Sequence, residues 1–216
     1  MTPRELFDVV YAALEHARDD VELEQASHGI DSWSELELHA VLAAAFVSAG
    51  YFVAREQRYP GDRTKKQRTS GRRCDLVVTA DGPLLLEGAQ PDLFALPSVG
   101  ASSGAWIEVK VLKQFRAGKA NVGWAQSLLT PPTVDVGKLA FDPGLGMRVL
   151  LMLLFTASTE VSEHDFGVWR DVVVGRGLPL SSTMLRHLPI VDRRGNRFCT
   201  MAFNVVDGPL REDSGS

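Results

Sequence analysis

The chain has little of three features that mark whole classes of protein. Its two cysteines, Cys74 and Cys199, are 125 positions apart, a spacing that argues against a disulfide framework or a zinc knuckle and favours reduced thiols. Apolar runs such as residues 149–155 are far too short to cross a bilayer. The N-terminus carries acids where a signal peptide needs an apolar run. We therefore expect a cytoplasmic protein that does not bind membranes.

An excess of positive charge is also missing. The net charge is −4 at pH 7, which argues mildly against a protein that coats nucleic acid. The mean conceals a basic segment at residues 55–73, which carries +6 while the rest of the chain carries −10. A length of 216 residues and an apolar content of 45% are typical of one soluble globular domain. We expect that domain over residues 1–208, and a disordered tail over 209–216.

One predicted strand, residues 106–112, holds two opposite charges inside an apolar run. Because alternate residues of a strand point the same way, Glu108 and Lys110 share one face. The β-branched residues between them take the other face, where they suit packing under a helix. A buried acid or amine needs a partner or a metal ion. Further upstream, Asp75 enters a second apolar strand, so the three residues form the pattern D…E-x-K.

An acidic helix precedes these strands. Ser34 and Glu37 have the spacing of a capping box, which predicts a helix that ends near Gly50. The apolar stripe of this helix places Glu35 on the inward side and Glu37 at the edge. Both acids also complement the positive helix N-terminus, so the sequence leaves open which one faces a site. His39, one turn after Glu35, either approaches the same site or lies on the helix surface.

Other segments carry weaker structural signals, and each is taken as an expectation. A capping box at Thr2 and Glu5 predicts a helix to about Arg18. The remaining predictions are a strand at 51–58, residues 84–86 pairing back on the sheet, an irregular insertion at 88–104, a buried strand at 147–155, a strand at 171–175, and a hairpin of strands 188–191 and 198–206.

The order of these elements resembles the PD-(D/E)XK nuclease superfamily, which includes restriction endonucleases and archaeal Holliday-junction resolvases. The resemblance covers residues 34–155 and comprises five elements in order: the acidic helix, a strand entry at 50–54, the strand of Asp75, the strand of Glu108 and Lys110, and a later segment at 135–139 before another strand. The 32 residues between Asp75 and Glu108 require an insertion. The resemblance implies an α/β protein with a restriction-endonuclease-like fold, in which helices flank a central mixed β-sheet.

The resemblance also implies an activity. The chain is expected to be a magnesium-dependent endodeoxyribonuclease that hydrolyses phosphodiester bonds in DNA, with manganese able to substitute. Asp75, Glu108 and Glu35 would hold the metal, and the carbonyl of Val109 would be a further ligand. Lys110 would orient the attacking water and counter the phosphate charge, so the expected catalytic residues are Asp75, Glu108, Lys110 and Glu35. Magnesium keeps several waters, so one or two carboxylates plus substrate phosphate suffice.

Basic side chains around this predicted site are candidates for binding DNA. They are Arg63, Lys65, Lys66, Arg68, Arg72, Arg73, Lys113 and Lys138. The basic segment is otherwise a solvated loop kept mobile by self-repulsion, and Lys138 is otherwise a solvated lysine. Lys113, Arg116 and Lys119 line a connection that we expect to be exposed. Cutting both strands of a duplex commonly needs two sites, which a homodimer would supply.

Two other functions compete with this interpretation. A catalytically inactive member of the same fold would bind nucleic acid or a protein partner, and the acidic net charge gives that alternative weight. Metal binding would separate the two. An α/β enzyme with Ser/His/Asp chemistry is disfavoured because the G-x-S-x-G match at residues 100–104 lies at the end of the expected irregular insertion, before a predicted strand, and not between a strand and a helix. The sequence does not decide between DNA and RNA, or between sequence and structure specificity.

Overall fold

A computed structural model describes residues 1–24, 28–61, 72–85, 97–191 and 195–209. Within these ranges the chain is a mixed α/β protein, in which six strands form one mixed sheet and helices cover both of its faces. This coarse architecture is the predicted one. No helix in the described ranges is both long and apolar enough to cross a membrane.

Helices and strands alternate irregularly along the chain. The helices are α1 (Pro3–Leu23), α2 (Glu35–Ser48), α3 (Trp124–Leu129), α4 (Pro131–Phe141) and α5 (Thr159–Gly175). The strands are β1 (Phe52–Arg58), β2 (Arg73–Thr79), β3 (Ala105–Lys113), β4 (Phe115–Arg116), β5 (Lys119–Ala120), β6 (Met147–Thr156), β7 (Leu180–Pro189) and β8 (Phe198–Val206).

The main sheet has the order β1-β2-β3-β6-β8-β7, and β4 pairs with β5 in a separate hairpin. Only the β3–β6 pair within the main sheet is parallel, and α3 and α4 lie in the crossover between these two strands. Parallel neighbours need such a crossover because a tight turn cannot join them. Consequently β3 and β6 lie at the centre of the sheet, and β6 is buried from Val149 to Thr156.

Two apolar cores lie on opposite faces of the sheet. The first packs α1 and α2 against the sheet, and the second packs α3, α4 and α5 against the other face. The alternation predicted for β3 is confirmed, since Ile107 and Val109 enter the first core and Trp106 and Leu112 the second. Glu108 is therefore held on the face covered by α3 and α4, and is 1% exposed.

Both predicted capping boxes are present. The Thr2 hydroxyl accepts the Glu5 N–H while the Glu5 carboxylate accepts the Thr2 N–H, and Ser34 and Glu37 form the same pair of bonds. Helix α2 ends where it was expected, before Gly50, whose φ of +89° suits glycine. Helix α1 runs beyond the expected end to Leu23, because Val21 still packs on the first core.

The described ranges correct two sequence predictions and confirm another in part. Residues 171–175 are the last turns of α5 and not a strand, because Phe166, Trp169 and Val173 recur at helical spacing and enter the second core. Leu84 pairs with Val99 through one isolated bridge and does not join the sheet. The predicted hairpin is present and β8 has its predicted bounds, but its first strand, β7, is Leu180–Pro189 and not 188–191. Residues 88–96 of the expected insertion at 88–104 lie outside the described ranges.

Arg148 secures the C-terminal end of α4. Its guanidinium donates hydrogen bonds to the carbonyls of Leu139, Gly146 and Asp142, at 3.0, 3.1 and 2.8 Å. Bonds from a charged donor to carbonyls near a helix C-terminus are stabilising. We expect Arg148→Met to lower the free energy of unfolding by about 2–3 kcal/mol in urea denaturation. Arg170→Met, at an exposed position of α5, is the control, and equal losses in the two variants would contradict a specific clamp.

Candidate functional site

The β2–β3 ladder stops at Leu76, one residue short of Asp75. Cys74 and Leu76 would share a face in a regular strand, yet they pack in opposite cores, so β2 is irregular at Asp75. On the neighbouring strand, Glu56 has a φ of +52°, which is rare for a residue with a side chain. The Asp75 carboxylate accepts the Val109 N–H at 2.8 Å. The Asp75 carboxylate therefore bonds to β3 just beyond the point where the β2–β3 pairing ends.

Helix α2 brings two further groups against Asp75. His39 Nε2 lies 3.9 Å from Glu35 Oε1 and 4.0 Å from Asp75 Oδ2. One donor atom from each of these three residues lies within 4.8 Å of the other two. Glu37 is instead engaged with Ser34 in the capping box. Of the two acids that the sequence left open, Glu35 is the one that faces the cluster.

The imidazole of His39 is buried, with 3% of the side chain exposed, and neither ring nitrogen has a hydrogen-bond partner among the described residues. A buried polar group without a partner costs free energy. An acceptor for the ring N–H, or a cation bound by the unprotonated ring nitrogen, would remove that cost. The alternative that His39 lies on the helix surface is wrong. Its spacing of four residues from Glu35 was the signal that placed both on one face.

Lys110 lies between two acids that come from opposite faces of the sheet. Its Nζ is 3.5 Å from Glu35 Oε1 and 3.1 Å from Asp135 Oδ2, and it donates to the Val109 carbonyl at 3.2 Å. Burial alone would lower the pKa of Lys110, but Asp135 and Glu35 outweigh it and hold the pKa above its ordinary value. The amine is therefore a protonated donor at neutral pH.

Asp135 is a buried carboxylate that the sequence did not mark as a site residue. Lys138, one turn later on α4, reaches Asp135 Oδ1 at 2.5 Å and lies 3.8 Å from Glu108 Oε1. The expectation of a solvated Lys138 is therefore wrong. Burial opposes the charged form of Lys138, but Glu108 and Asp135 raise its pKa. Asp135 thus contacts both lysines of the cluster.

Glu108 is held by a residue that sequence reasoning missed. The Tyr59 hydroxyl donates to Glu108 Oε1 at 2.6 Å, and the Tyr59 ring stacks on Trp106 with 5.7 Å between centroids. Tyr59 follows β1 and is remote from Glu108 in sequence, so no local pattern could have revealed the contact. Glu108 is not among the three grouped donors on α2 and β2.

The pKa of Glu108 is raised from 4.5 to about 8. Burial is the largest cause, and the neighbouring carboxylates of Asp135 and Asp75 add to it. Lys138 and the Tyr59 hydroxyl lower the pKa, but by less. Glu108 is therefore mainly a buried acid that keeps its proton at neutral pH, and the neighbouring carboxylates favour the protonated form further.

The charge balance of the whole cluster is negative. Four carboxylates converge with two ammonium groups: Glu35, Asp75, Glu108 and Asp135 with Lys110 and Lys138. With all six ionised the sum is −2, and with Glu108 protonated, as its raised pKa implies at pH 7, the sum is −1. A divalent cation would neutralise that excess.

The predicted DNA-binding residues are only partly described. Arg63, Lys65, Lys66 and Arg68 lie outside the described residues, so that part of the prediction stays untested. Arg72 and Arg73 are exposed at the start of β2, and Arg73 donates to the Glu56 carbonyl at 2.9 Å. Lys113 is not on an exposed connection but at the half-buried end of β3, where it donates to the Trp33 carbonyl at 2.5 Å.

The cluster combines oxygen and nitrogen donors, a protonated lysine and a buried acid with a high pKa. Such a set can bind a divalent cation and present positive charge beside it. Comparison with known proteins adds nothing to this description, because no protein-family model, curated protein or solved structure matches the chain.

Proposed function

We propose that the chain is a metal-dependent nuclease of PD-(D/E)XK type that hydrolyses phosphodiester bonds in DNA. The observation that supports this proposal is the convergence of Glu35, Asp75, Glu108 and Lys110 at the end of the β2–β3 ladder. The order of elements, from α2 through three antiparallel strands and a helical crossover to parallel β6, favours the restriction-endonuclease-like form of the sheet.

The donor set fits magnesium or manganese. Glu35, His39 and Asp75 offer two carboxylates and an imidazole within 4.8 Å, and the imidazole makes manganese the better match. The Val109 carbonyl points to the same side of β3 as its N–H, which is the side of Asp75. When bound, the ion would polarise the phosphate and lower the pKa of water.

Lys110 acts in this proposal as a fixed positive charge. Its raised pKa keeps it protonated, so it donates hydrogen bonds to the phosphate or to the attacking water and does not accept a proton. Contacts with Asp135 and with the Val109 carbonyl set its position. A donor held in place before the reaction loses little free energy to reorganisation as charge develops on the phosphate.

Asp135, Lys138 and Tyr59 are positioning residues. Asp135 holds the two lysines, and Lys138 and the Tyr59 hydroxyl contact the same oxygen of Glu108. These contacts fix Glu108 and Lys110 on β3 from the side of α4. A site held from two sides keeps its geometry more closely than one on a loop.

The direct test is cleavage of plasmid, linear, branched and single-stranded DNA, and of RNA, in Mg²⁺, in Mn²⁺ and in EDTA. We expect products only with a divalent ion, and none from Asp75→Asn. Asp81→Asn, at an exposed acid after β2, is the matched control and should cut like wild type. Metal binding without cleavage of any substrate would favour the inactive, binding member of the fold.

Glu35 and Glu37 provide a matched pair for a second test. We expect Glu35→Gln to reduce metal-dependent cleavage by about tenfold or more, because Glu35 contacts both Lys110 and His39. Glu37→Gln should leave the cleavage rate near wild type and weaken the helix cap by about 1 kcal/mol or less. Single-turnover rates and urea denaturation measure the two effects, and the reverse order would exclude Glu35 from the site.

A further inference from the structure

An open groove of about 510 Å³ lies beside the cluster and shares Glu35 with it. One wall is the segment 28–34 that leads into α2, and the other is the end of β3 with the β4–β5 hairpin. The volume is within the ~300–1,000 Å³ usual for ligand sites. One end of the groove is therefore at Glu35, whose carboxylate lies 3.5 Å from the Lys110 amine.

Hydrogen bonds tie the two walls together. The Asn196 amide, 1% exposed, donates to Asp31 Oδ2 at 2.9 Å and to the Phe115 carbonyl at 3.1 Å, and its oxygen accepts the Phe115 N–H at 3.2 Å. Lys113 joins the walls a second time through the Trp33 carbonyl. The groove is therefore formed before any ligand arrives.

The hairpin wall carries a ring and a cation. Gly195 packs closely against Phe115, since a Cβ added to Gly195 would be 2.6 Å from Cγ of the ring. This close contact limits movement of the ring away from the groove. Arg116, at the exposed end of β4, has no ion pair with any described residue, whereas Asp31 is engaged by Asn196 and Glu35 by Lys110.

The charges on this wall also favour an anionic ligand. Burial lowers the pKa of Lys113, and the nearby Arg116 charge adds to it against the attraction of Asp31, so two cations that repel each other lie on one wall of the groove. An anion between them would relieve that repulsion. Ala117 and Gly118, with φ of +50° and +79°, form the two-residue turn of the β4–β5 hairpin, in which positive φ is the usual geometry.

We propose that this groove binds a single strand of nucleic acid next to the scissile phosphate. A base stacks on Phe115, and a phosphate lies against Arg116 and Lys113. Stacking on a side chain requires an unpaired base, so the substrate class is nucleic acid with a single-stranded part: a free strand, a flap or a branched end. The proposal rests on the nuclease function, because the strand must continue to Lys110.

Fluorescence anisotropy in EDTA tests the groove without cleavage. The probes are a short labelled DNA strand, the RNA strand of the same sequence, and the blunt DNA duplex. We expect Phe115→Leu and Arg116→Gln each to weaken single-strand binding by roughly tenfold, and duplex binding by less. Arg116→Gln should also flatten the salt dependence by about 0.7 of a log–log unit, while Phe115→Leu should not. Phe115→Trp, which keeps a stacking ring, should retain affinity, and thermal unfolding checks that each variant is folded.

Lys119→Gln is the matched control. Lys119 is opposite Arg116 in the backbone register of the hairpin, but it does not line the groove. Its replacement should therefore change single-strand affinity by less than about twofold. Equal losses in Arg116→Gln and Lys119→Gln, or no loss in Phe115→Leu, would overturn the groove proposal. If that happens while wild type still cuts DNA, the nuclease proposal stands. If the variants lose binding but no substrate is ever cut, the groove stands and the nuclease proposal fails.

Discussion

Replacing Lys110 with alanine is expected to lower the rate of metal-dependent DNA cleavage by about a thousandfold while metal binding is retained. The side chain lies between Glu35 and Asp135, and its ammonium donates to the Val109 carbonyl at 3.2 Å. A preorganised donor of this kind acts mainly in the transition state. Its removal therefore lowers the rate constant for cleavage and changes substrate affinity little.

The fold should survive the loss of Lys110. The Asp135 carboxylate still contacts the Lys138 amine at 2.5 Å, so this buried carboxylate is not left without a cation. Lys138→Ala is the matched control, because it removes the other lysine of the cluster but leaves the contacts of Lys110 with Glu35 and the Val109 carbonyl. Single-turnover cleavage and calorimetric titration with Mn²⁺ measure the two quantities. A larger loss of rate in Lys138→Ala would show that the catalytic charge lies on α4 and not on β3.

The parts of the site that the sequence predicted are those set by local periodicity. The two-residue period of a strand placed Glu108 and Lys110 on one face, and the helical spacing placed Glu35 near the cluster. The sequence left the choice between Glu35 and Glu37 open, and the structure decides it, because the capping box engages the Glu37 carboxylate at the helix end. For the strand and the helix face, a few neighbouring residues decide the outcome, so the sequence contains the information.

The missed parts depend on contacts between distant segments. Asp135 and Lys138 have the i, i+3 spacing of an ordinary surface ion pair, and only the packing of α4 over Glu108 buries them. Tyr59 reaches Glu108 from 49 positions away. The error at residues 171–175 has the same origin, since three valines favour a strand locally but packing against β6, β7 and β8 selects the helix.

The last expected result concerns stability and pH in the absence of metal. Wild type should lose folding free energy as the pH rises from about 5 to about 8, and Glu108→Gln should not. The cause is the pKa of Glu108, which burial and the nearby Asp135 and Asp75 raise from 4.5 to about 8. The difference between the two proteins at the alkaline end should be on the order of 4 kcal/mol.

The sign follows from proton binding in the two states. Below pH 4.5 Glu108 is protonated in both the folded and the unfolded chain, so it contributes no pH dependence. Between 4.5 and 8 the unfolded chain releases the proton while the folded chain keeps it, so rising pH favours unfolding. Above 8 both forms are ionised and the full penalty is present. Glutamine can still accept the Tyr59 hydrogen bond, and Lys138 keeps its contact with Asp135.

Urea denaturation across this pH range in EDTA measures the effect. Glu37→Gln is the control, because the capping-box bonds with Ser34 lower the pKa of that exposed carboxyl and its titration falls below the range. Mn²⁺ at the alkaline end should restore stability to wild type by mass action, and less to Asp75→Asn, which lacks a donor for the ion. Parallel pH profiles for wild type and Glu108→Gln would show that folding does not raise the pKa of Glu108, and would contradict its description as a buried acid that keeps its proton at neutral pH.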